Sequence, residues 1–583
     1  MVKSILSSDM EYNQFIVSST QRSDVEVKLP NGQIIKGPRG ECVGNFLKMF
    51  NEWDGSPIVG AVVDGNLREL TYPIQKDAEV RPLNMSTSDG SKIYRRSLTF
   101  LLETAFEEKF PNYYLAIDHS VPNGGYFCKV LGRAPLTREE IKSIERKMLE
   151  LIKNNLPIIK EKVELEKAID YFKEKKYKDK LRLLKYRNKP YLVLYKLGVH
   201  RDYHHGYMVP STGILRVFKL LPRGVGFILQ YPRRKTPNKL LPMPSYSKLL
   251  QIFKQYGSWL ESLDIDSVGA LNDSIKSGSI REVILVSEAL HEQKIAQIAS
   301  IIAGKKSKVR IVLIAGPTSS GKTTFSKRLA IQLLTHGISP FALEMDNYFV
   351  DREKTPKDEN GNFNFESFNA IDTELMGQHL KLLMGGQSIR LPRFNFRSGK
   401  RELGELVQLG NNQIIVIEGI HGLNPKLLSD IEKHSTFRIY ASCLTQLNLD
   451  YYNRISTTDT RMLRRIVRDA KTRGFSARRT IEMWESVRRG EREYIFPHQE
   501  NADEIFNSAL VYELAAIKNL AEPLLRQISF GTEGYLEAKR LLAFLEWFLP
   551  IDSQLIPDNS ILREFIGDSI LTDFHLWKNS PIA

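Results

Sequence analysis

Cysteine is scarce in this sequence. Its 583 residues include only Cys42, Cys128 and Cys443, which are widely spaced and form no CxxC pair. Such a set implies no disulfide framework, which would have pointed to an oxidising compartment. We therefore expect a cytoplasmic location.

Long apolar runs are also missing. No stretch of about 18 uncharged apolar residues occurs, so no transmembrane helix and no membrane partner are predicted. The beginning of the chain, MVKSILSSDMEYNQF, lacks the apolar core and cleavage site of a secretory signal. With 42% hydrophobic and 26% charged residues, the composition is that of ordinary globular domains.

Positive charge is in excess, with 83 lysines and arginines against 68 acidic residues and a net charge of +15. This excess favours an anionic partner such as a nucleotide, an RNA or a phosphorylated substrate. A solvated basic surface explains the charge equally well, because net charge alone specifies no ligand.

The length exceeds what one hydrophobic core supports, so several domains are expected. Shifts in pattern and composition divide the chain into an N-terminal extension (1–22), a small β-rich unit (23–86), an α+β unit (87–232), a linker and helix (233–285), an alternating strand–helix unit (286–525) and a C-terminal helical segment (526–583).

The small β-rich unit shows the alternation of half-buried strands. Val25–Leu29 alternates apolar and polar residues, Pro30-Asn31-Gly32 predicts a turn, and Val59–Val63 reads as a further strand. The turn LPNGQ and the segments VVDGNLRELTYPI and DAEVRPL resemble a TGS domain, the β-grasp module at the front of threonyl-tRNA synthetases. The resemblance implies a β-grasp fold for residues 23–86.

The α+β unit contains two predicted amphipathic helices, over Ser97–Phe110 and Thr137–Ile152, the second opened by a TREE capping pattern. Strands are predicted over Tyr191–Tyr195 and Leu215–Leu221. The segments SKIYRRSLTFLLETAF, FPNYYLAIDHSVPNGGYF and VPSTG resemble the second additional domain of threonyl-tRNA synthetases, which edits mischarged tRNA. By that resemblance the front of the chain is expected to meet tRNA or another structured RNA.

Three histidines fall within six residues, at His200, His204 and His205. Against the editing-domain pattern, Arg96 and Phe100 stand at the HxxxH positions, and His204 and Met208 stand at the CxxxH positions. Zinc needs three or four N, S or O ligands, so we expect neither a zinc site nor a metal-dependent deacylase. A separate metal site built from the three histidines, a structural loop and an RNA-contacting loop stay open as alternatives.

The strongest motif is GPTSSGKT, which satisfies the phosphate-binding pattern GxxxxGK[S/T]. The apolar run Val309–Ala315 precedes it and a helical pattern over Phe325–Leu334 follows, so strand, loop and helix come in the order that phosphate binding requires. Lys322 is predicted to bridge the β- and γ-phosphates of ATP, and Thr323 to offer its hydroxyl to Mg²⁺. The predicted nucleotide-binding residues are Gly316, Pro317, Thr318, Ser319, Ser320, Gly321, Lys322, Thr323 and Thr324.

Two further strands end in acidic residues, Phe341–Met345 before Asp346 and Ile414–Ile417 before Glu418. Carboxylates at strand ends beside a phosphate loop can hold Mg²⁺ or accept a hydroxyl proton. An arginine-rich helix follows, whose residues Arg461, Arg464, Arg465 and Arg468 share a face. Cations aimed at a transferring phosphoryl group stabilise it, and a basic solvated face is the alternative.

These segments, together with MDNYFVDR, LPRFNFRSGKRE and TTDTRMLRRIVRDAKTRG, resemble the uridine kinase and phosphoribulokinase family. The resemblance implies a parallel α/β phosphate-loop kinase with ATP and Mg²⁺ as cofactors. It makes Asp346 the catalytic base, and it gathers Thr323, Asp346 and Glu418 around Mg²⁺. Lys322, Arg464 and Arg468 become catalytic cations, the two arginines on a closing lid.

Several positions depart from the uridine kinase pattern, among them Glu366 and Asn395, which each stand where an aspartate is usual. Phe394 replaces a tyrosine, and Gly399 stands where a base-recognising histidine is usual, so the pyrimidine contacts are altered. We expect phosphoryl transfer from ATP to a hydroxyl of a small acceptor, most simply a nucleoside. The alternative is an RNA- or tRNA-binding regulatory protein whose phosphate loop senses ATP.

Overall fold

A computed structural model describes residues 22–50, 52–53, 55–357, 361, 363–395, 398–410 and 412–574 of the chain. It shows the predicted class, a multidomain protein with mixed and antiparallel sheets in front and a parallel sheet behind. Below, residues 23–232 are called the front half and residues 286–574 the rear half. Among the described residues, no helix combines the length and the apolar composition needed to span a bilayer.

The first unit is a mixed sheet with the strand order β2-β1-β6-β4-β3, and β5 pairs with β4. β1 and β6 are parallel, as in a β-grasp arrangement, and the other pairs are antiparallel. Its elements are β1 (Asp24–Lys28), β2 (Ile34–Pro38), α1 (Val43–Phe46), β3 (Glu52–Trp53), β4 (Ser56–Val63), β5 (Asn66–Arg68) and β6 (Ala78–Asn84).

The second unit packs helices on two antiparallel sheets, β12-β13-β8-β7 and β11-β10-β9. Its elements are α2 (Ser88–Lys109), β7 (Tyr114–Val121), β8 (Gly125–Leu131), α3 (Arg138–Lys153), β9 (Ile159–Glu164), α4 (Leu165–Glu174), α5 (Lys178–Leu184), β10 (Tyr191–Leu197), β11 (His200–Tyr203), β12 (Lys219–Arg223) and β13 (Gly226–Gln230). The predicted cap of α3 is confirmed, because Thr137 and Glu140 bond each other's backbone N–H groups at 3.2 and 2.8 Å.

The strand predicted over Leu215–Leu221 is wrong at its start. A 3₁₀ turn occupies Thr212–Ile214, and β12 begins only at Lys219. The backbone N–H of Val217 donates to the Tyr94 hydroxyl at 3.0 Å, and that hydroxyl donates to the Val217 carbonyl at 3.1 Å. The Tyr94 hydroxyl thus bonds both the N–H and the carbonyl of Val217, which are the groups that a neighbouring strand would otherwise have bonded.

Three helices connect the halves: α6 (Ser247–Ser262), α7 (Val268–Ser277) and α8 (Ile280–Gly304). The predicted boundary at residue 285 falls inside α8, which runs on to the first strand of the rear sheet. A helix that crosses the boundary leaves no flexible joint at that point.

The rear half is built on a five-stranded, wholly parallel sheet in the order β15-β18-β14-β19-β20. Its elements are β14 (Ile311–Ala315), α9 (Lys322–Thr335), β15 (Ser339–Glu344), α10 (Thr373–Met384), β16 (Ile389–Asn395), β17 (Lys400–Val407), β18 (Gln413–Glu418), β19 (Thr436–Ser442), α11 (Thr457–Arg473), α12 (Ala477–Glu482), α13 (Trp484–Gly490), β20 (Glu504–Asn507), α14 (Glu513–Arg526), α15 (Tyr535–Leu545) and α16 (Arg563–Ile566). β16 and β17 form a separate hairpin.

A buried lysine joins the two halves. The Lys180 ammonium of α5 lies 2.7 Å from the Asp202 carboxylate of β11 and 3.1 Å from the Asp450 carboxylate of the loop before α11. All three side chains are 2% exposed or less. A charge this deep costs free energy unless it is paired, so the lysine ties the position of one half to that of the other.

Two of the three clustered histidines, His200 and His204, lie near this lysine and its partner Asp202. The His200 Nδ1 atom bonds the Glu107 carboxylate of α2, and the His204 Nε2 atom lies 3.0 Å from the Glu103 carboxylate. Burial acts against a charged imidazole, but the bonds to Glu103 and Glu107 outweigh it and raise the pKa of His200 to about 9. His200 is therefore a buried cation at neutral pH.

Replacing the joining lysine should destabilise the protein strongly. Lys180→Met leaves two buried carboxylates without their cation, which should lower the free energy of unfolding by about 3–5 kcal/mol. The control is Lys167→Met, since its pair with Glu164 is more than two-thirds exposed and should contribute below about 1 kcal/mol. Urea denaturation followed by fluorescence measures both, and equal losses would contradict the joining role.

The folded protein should lose stability as the pH rises from about 6.5 to 9. The pKa of His200 is raised on folding, so its contribution is complete below pH 6.5 and disappears as the pH passes 9. The loss should reach about 3 kcal/mol in the wild type, from 1.36 kcal/mol for each pKa unit, and should shrink in His200→Gln.

The matched control is His434→Gln, because this imidazole is 62% exposed. Chemical denaturation at a series of pH values provides the measurement. The same slope in wild type and His200→Gln would disprove the assignment, and so would one firmly bound zinc per purified chain, since a zinc ligand is a neutral imidazole.

Candidate functional site

The phosphate loop connects β14, the central strand of the rear sheet, to α9. Two glycines in it leave no room for a side chain. A Cβ atom on Gly316 would lie 1.9 Å from the Ala441 carbonyl oxygen, and one on Gly321 would lie 2.4 Å from Ile561. Ser319 and Gly321 both have left-handed backbones, with φ of 56° and 83°. This tight path turns the loop around the N-terminus of α9, where backbone N–H groups collect partial positive charge.

The loop presents polar groups that the protein itself leaves unused. The Ser319 and Ser320 hydroxyls are buried and have no hydrogen-bond partner among the described residues. Within the same part of the chain, the Lys322 ammonium donates one hydrogen bond, to the Pro317 carbonyl at 3.3 Å, and the Thr323 side chain is exposed. Unpartnered donors around a helix N-terminus are suited to the oxygens of a phosphate chain.

Carboxylates from three segments surround Lys322. Asp346 lies in a 3₁₀ turn directly after β15, Glu418 ends β18, and Glu366 lies in the loop before α10. Burial raises the pKa of each of these three carboxyls, and the Lys322 ammonium opposes that rise in all of them, so it lies close enough to act on all three. The sequence predicted Asp346 and Glu418 for the site, whereas Glu366 was noticeable only as a glutamate where the family has an aspartate.

Burial is the largest influence on the pKa values of these carboxyls and favours their protonated forms. Removal from water, and then the neighbouring Glu344, raise the pKa of Asp346. The pKa of Glu418 rises to about 7, through burial and then through Glu564 and Asp346. The Thr323 hydroxyl donates to Glu418 at 3.1 Å, so the two predicted metal ligands are in contact.

The arginines of α11 lie behind the loop. Arg461 donates to the Thr318 carbonyl at 2.9 Å, and the Arg464 guanidinium lies 3.4 Å from the Ser319 carbonyl. Both are at most 1% exposed, Arg461 paired with Glu491 and Arg464 with Glu513. In this arrangement they fix the loop backbone.

Arg465 and Arg468 complete that face of α11. Arg465 lies 3.3 Å from the Thr318 hydroxyl, and Arg468 pairs with Asp469 at 2.8 Å. The contact of Arg464 and Arg468 with a transferred phosphoryl group remains a prediction, because both guanidinium groups are occupied by carboxylates in this arrangement.

The C-terminal segment closes the other side of the loop. The Thr324 backbone N–H, on the first turn of α9, donates to the Glu564 carboxylate of α16 at 3.1 Å. Lys327 donates to the Leu571 carbonyl at 2.5 Å, and Phe565 lies 4.9 Å below the Arg464 guanidinium. These partners stand about 240 residues apart in the chain, and no motif in the C-terminal segment signals the contact.

Phe394 and Gly399, two positions that differ from the uridine kinase pattern, are both closely packed against neighbouring residues. Phe394 is 5% exposed and its ring lies 5.6 Å from that of Phe349. Gly399 has φ of 70°, and a Cβ atom there would lie 2.7 Å from Arg352. A histidine at position 399 would therefore require both a strained backbone and displacement of Arg352.

A second group of donors lies in the front half. Ligand atoms of Glu103, His200 and Asp202 come within 4.8 Å of one another, and all three residues are buried. The protein's own cations already neutralise these carboxylates, since Lys180 pairs with Asp202 and His200 pairs with Glu107. Phe100 and Met208, at two of the positions where the editing-domain pattern has metal-ligating residues, are buried apolar side chains.

Comparison with known proteins supports this division into halves. Residues 311–515, a little over a third of the chain, match the Phosphoribulokinase / Uridine kinase family. A chain from Bacillus stearothermophilus described as "a Possible Uridine Kinase" is similar over 37% of this chain and 98% of its own, with 20% identity and a TM-score of 0.25. At that TM-score the structural likeness supports no inference.

The N-terminal region is similar to threonine–tRNA ligases. The Thermotoga maritima protein is 32% identical over 199 residues, covering 34% of this chain and 30% of its own, and the Clostridium kluyveri protein is 32% identical over 198 residues, covering 34% and 31%. The chain thus spans less than a third of the length of these relatives. Residues 311–515 form a phosphoribulokinase/uridine kinase domain, and they stand behind a region similar to the front of threonine–tRNA ligases.

Proposed function

We propose that the rear half transfers the γ-phosphoryl group of ATP to a hydroxyl of a small acceptor of the nucleoside class. The observation that carries the proposal is the position of Lys322 at the N-terminus of α9, close to Asp346 and Glu418 at the carboxyl ends of two parallel strands and to Glu366 in the loop before α10. Ligands of open α/β sheets bind at this edge.

The donor set fits a magnesium ion. Thr323, Asp346 and Glu418 would hold it, because Mg²⁺ takes hydroxyl and carboxylate oxygens together with substrate phosphates. When bound, Mg²⁺ neutralises charge on the phosphates of ATP. The raised pKa of Glu418, about 7, means that metal binding should release a proton near neutral pH.

The other residues of the site bind the phosphates, hold the loop and accept the proton of the acceptor. The loop backbone and Lys322 hold and neutralise the phosphates, and α11 keeps that loop rigid. Asp346 takes the proton of the acceptor hydroxyl, and its raised pKa brings it closer to neutral pH, as suits a general base. Glu366 faces the same lysine and is a further candidate for positioning the acceptor.

The acceptor is not recognised as in ordinary uridine kinases. Phe394 lacks the tyrosine hydroxyl and Gly399 lacks the imidazole, so a pyrimidine base loses two polar contacts. A site without those polar groups does not select uridine by hydrogen bonding. We therefore propose a hydroxyl acceptor whose identity only a substrate panel can give.

A panel of nucleosides with Mg·ATP should give ADP release with at least one acceptor. Lys322→Ala and Asp346→Asn should each lower kcat about 10²–10⁴-fold, through loss of phosphate stabilisation and of the general base. Lys306→Ala, an exposed lysine after α8, is the control and should leave the rate unchanged.

The outcome that contradicts the kinase proposal is an absence of turnover with every acceptor, with wild type and Lys322→Ala alike. Similarity to threonine–tRNA ligases favours one second function, an RNA-binding protein whose phosphate loop senses ATP. Salt-sensitive filter binding of tRNA that changes with ATP, without acceptor turnover, would support that function instead.

Removing the charge of Glu564 should strengthen ATP binding while weakening the fold. In Glu564→Gln the carboxylate no longer occupies the α9 N-terminus, so repulsion of an incoming phosphate falls and we expect several-fold tighter binding. The same change removes a favourable helix-terminus interaction of about 0.3–1 kcal/mol.

The comparison variant is Asp558→Asn, an exposed carboxylate earlier in the same segment. Titration with an ATP analogue and thermal unfolding provide the two readouts. Weaker nucleotide binding in Glu564→Gln would show that the carboxylate assists the nucleotide, and the predicted repulsion would be wrong.

A further inference from the structure

A cleft of about 150 Å³ lies where the front half meets the rear half, and none of its lining residues belongs to the phosphate loop. α2 contributes one wall, and the other comes from the start of α11 and from α15. Its lining is strongly cationic. Leaving histidines aside, it has five cations and one carboxylate, Asp459, and the cations are Lys92, Arg95, Arg96, Arg454 and Arg540.

Two of these cations are neutralised within the protein. Lys92 lies 2.8 Å from Glu537, and Arg540 binds Asp459 with two nitrogens at 2.8 Å each. Arg540 also pairs with Glu537. These four side chains form a closed network and leave no charge to spare.

The other three guanidinium groups have no carboxylate partner among the described residues. Arg95 donates to the Ser91 carbonyl at 3.1 Å, Arg96 to the Tyr207 carbonyl at 2.6 Å, and Arg454 to the Ile455 carbonyl at 2.7 Å. The Arg454 Nε–H is buried and has no acceptor. Three cations thus converge on one cleft with most of their donors unused.

Neighbouring groups respond to this uncompensated charge. Burial acts to raise the pKa of Tyr126, but Arg95, Arg454 and Arg96 outweigh it and lower the pKa. Burial, then Arg96 and Arg540, lower the pKa of His205 to about 3. Both shifts are those expected beside an excess of positive charge, so the cleft is electropositive.

The shape of the donors indicates the ligand. Guanidinium forks match the paired oxygens of phosphate, and the cleft also lies at the N-terminus of α11, capped by Ser456. A cavity of about 150 Å³ accommodates a molecule as small as benzene. We infer that this cleft binds a small phosphate anion, either free or as the phosphate group of a small metabolite.

The site is independent of the proposed kinase chemistry but shares a helix with it. The first turn of α11 lines the cleft, and Arg461 and Arg464 further along bind the carbonyls of the phosphate loop. A bound anion would hold both walls of the cleft, and so stabilise the contact between the halves.

Calorimetric titration of the full chain with pyrophosphate tests the inference. The Lys322→Ala variant is used throughout, so that binding at the phosphate loop does not obscure the result. We expect one site per chain, with affinity lowered about ten-fold or more in Arg96→Gln and in Arg454→Gln, since each loses charge-assisted hydrogen bonds. Arg146→Gln, an exposed arginine of α3, is the matched control and should bind as before.

Two further arms sharpen the result. Titration with inorganic phosphate and with glycerol phosphate distinguishes a free anion from a phosphorylated metabolite. Arg96→Lys keeps the charge but loses the fork, so it should bind with intermediate affinity while melting like the parent protein. Absence of binding to all three probes, or equal binding in Arg96→Gln, Arg454→Gln and Arg146→Gln, would overturn the inference.

Discussion

The buried pair of Arg464 and Glu513 is the interaction on which the rear half depends. Arg464 is fully buried, and besides Glu513 it binds the Ser508 carbonyl at 2.8 Å and reaches the Ser319 carbonyl. One side chain thereby connects α11, the loop after β20, α14 and the phosphate loop. A buried cation that loses its partners costs several kcal/mol of stability, so Arg464 keeps these contacts. They hold the loop in the conformation that phosphate binding needs.

Buried polar and charged contacts also join the front half to the rear half. Lys180 is one such connection, and the uncharged Asn453 adds hydrogen bonds across the same contact, donating to the Tyr203 carbonyl at 2.9 Å and accepting from the His205 backbone at 2.9 Å. The segment that carries Asp450 and Asn453 leads directly into α11. The front half is thus packed against the segment that leads into the helix behind the phosphate loop.

The sequence predicted the parts of the site that depend on local pattern. The strand before GPTSSGKT and the strands that lead to Asp346 and Glu418 are present as predicted, because burial of parallel strands imposes apolar runs. It could not predict that Arg464 faces the back of the loop, because helical spacing defines a shared face but not what that face contacts. Glu564 was missed for a related reason, since its contact with Thr324 depends on tertiary packing across 240 residues.

The packing of the C-terminal segment bears on how the protein is made. Ile561, Leu562 and Phe565 are fully buried, and Ile561 lies against Gly321 of the phosphate loop. During synthesis, the phosphate loop leaves the ribosome about 240 residues before the residues that complete its surroundings. The nucleotide pocket therefore acquires its final wall only after residue 565 has been added.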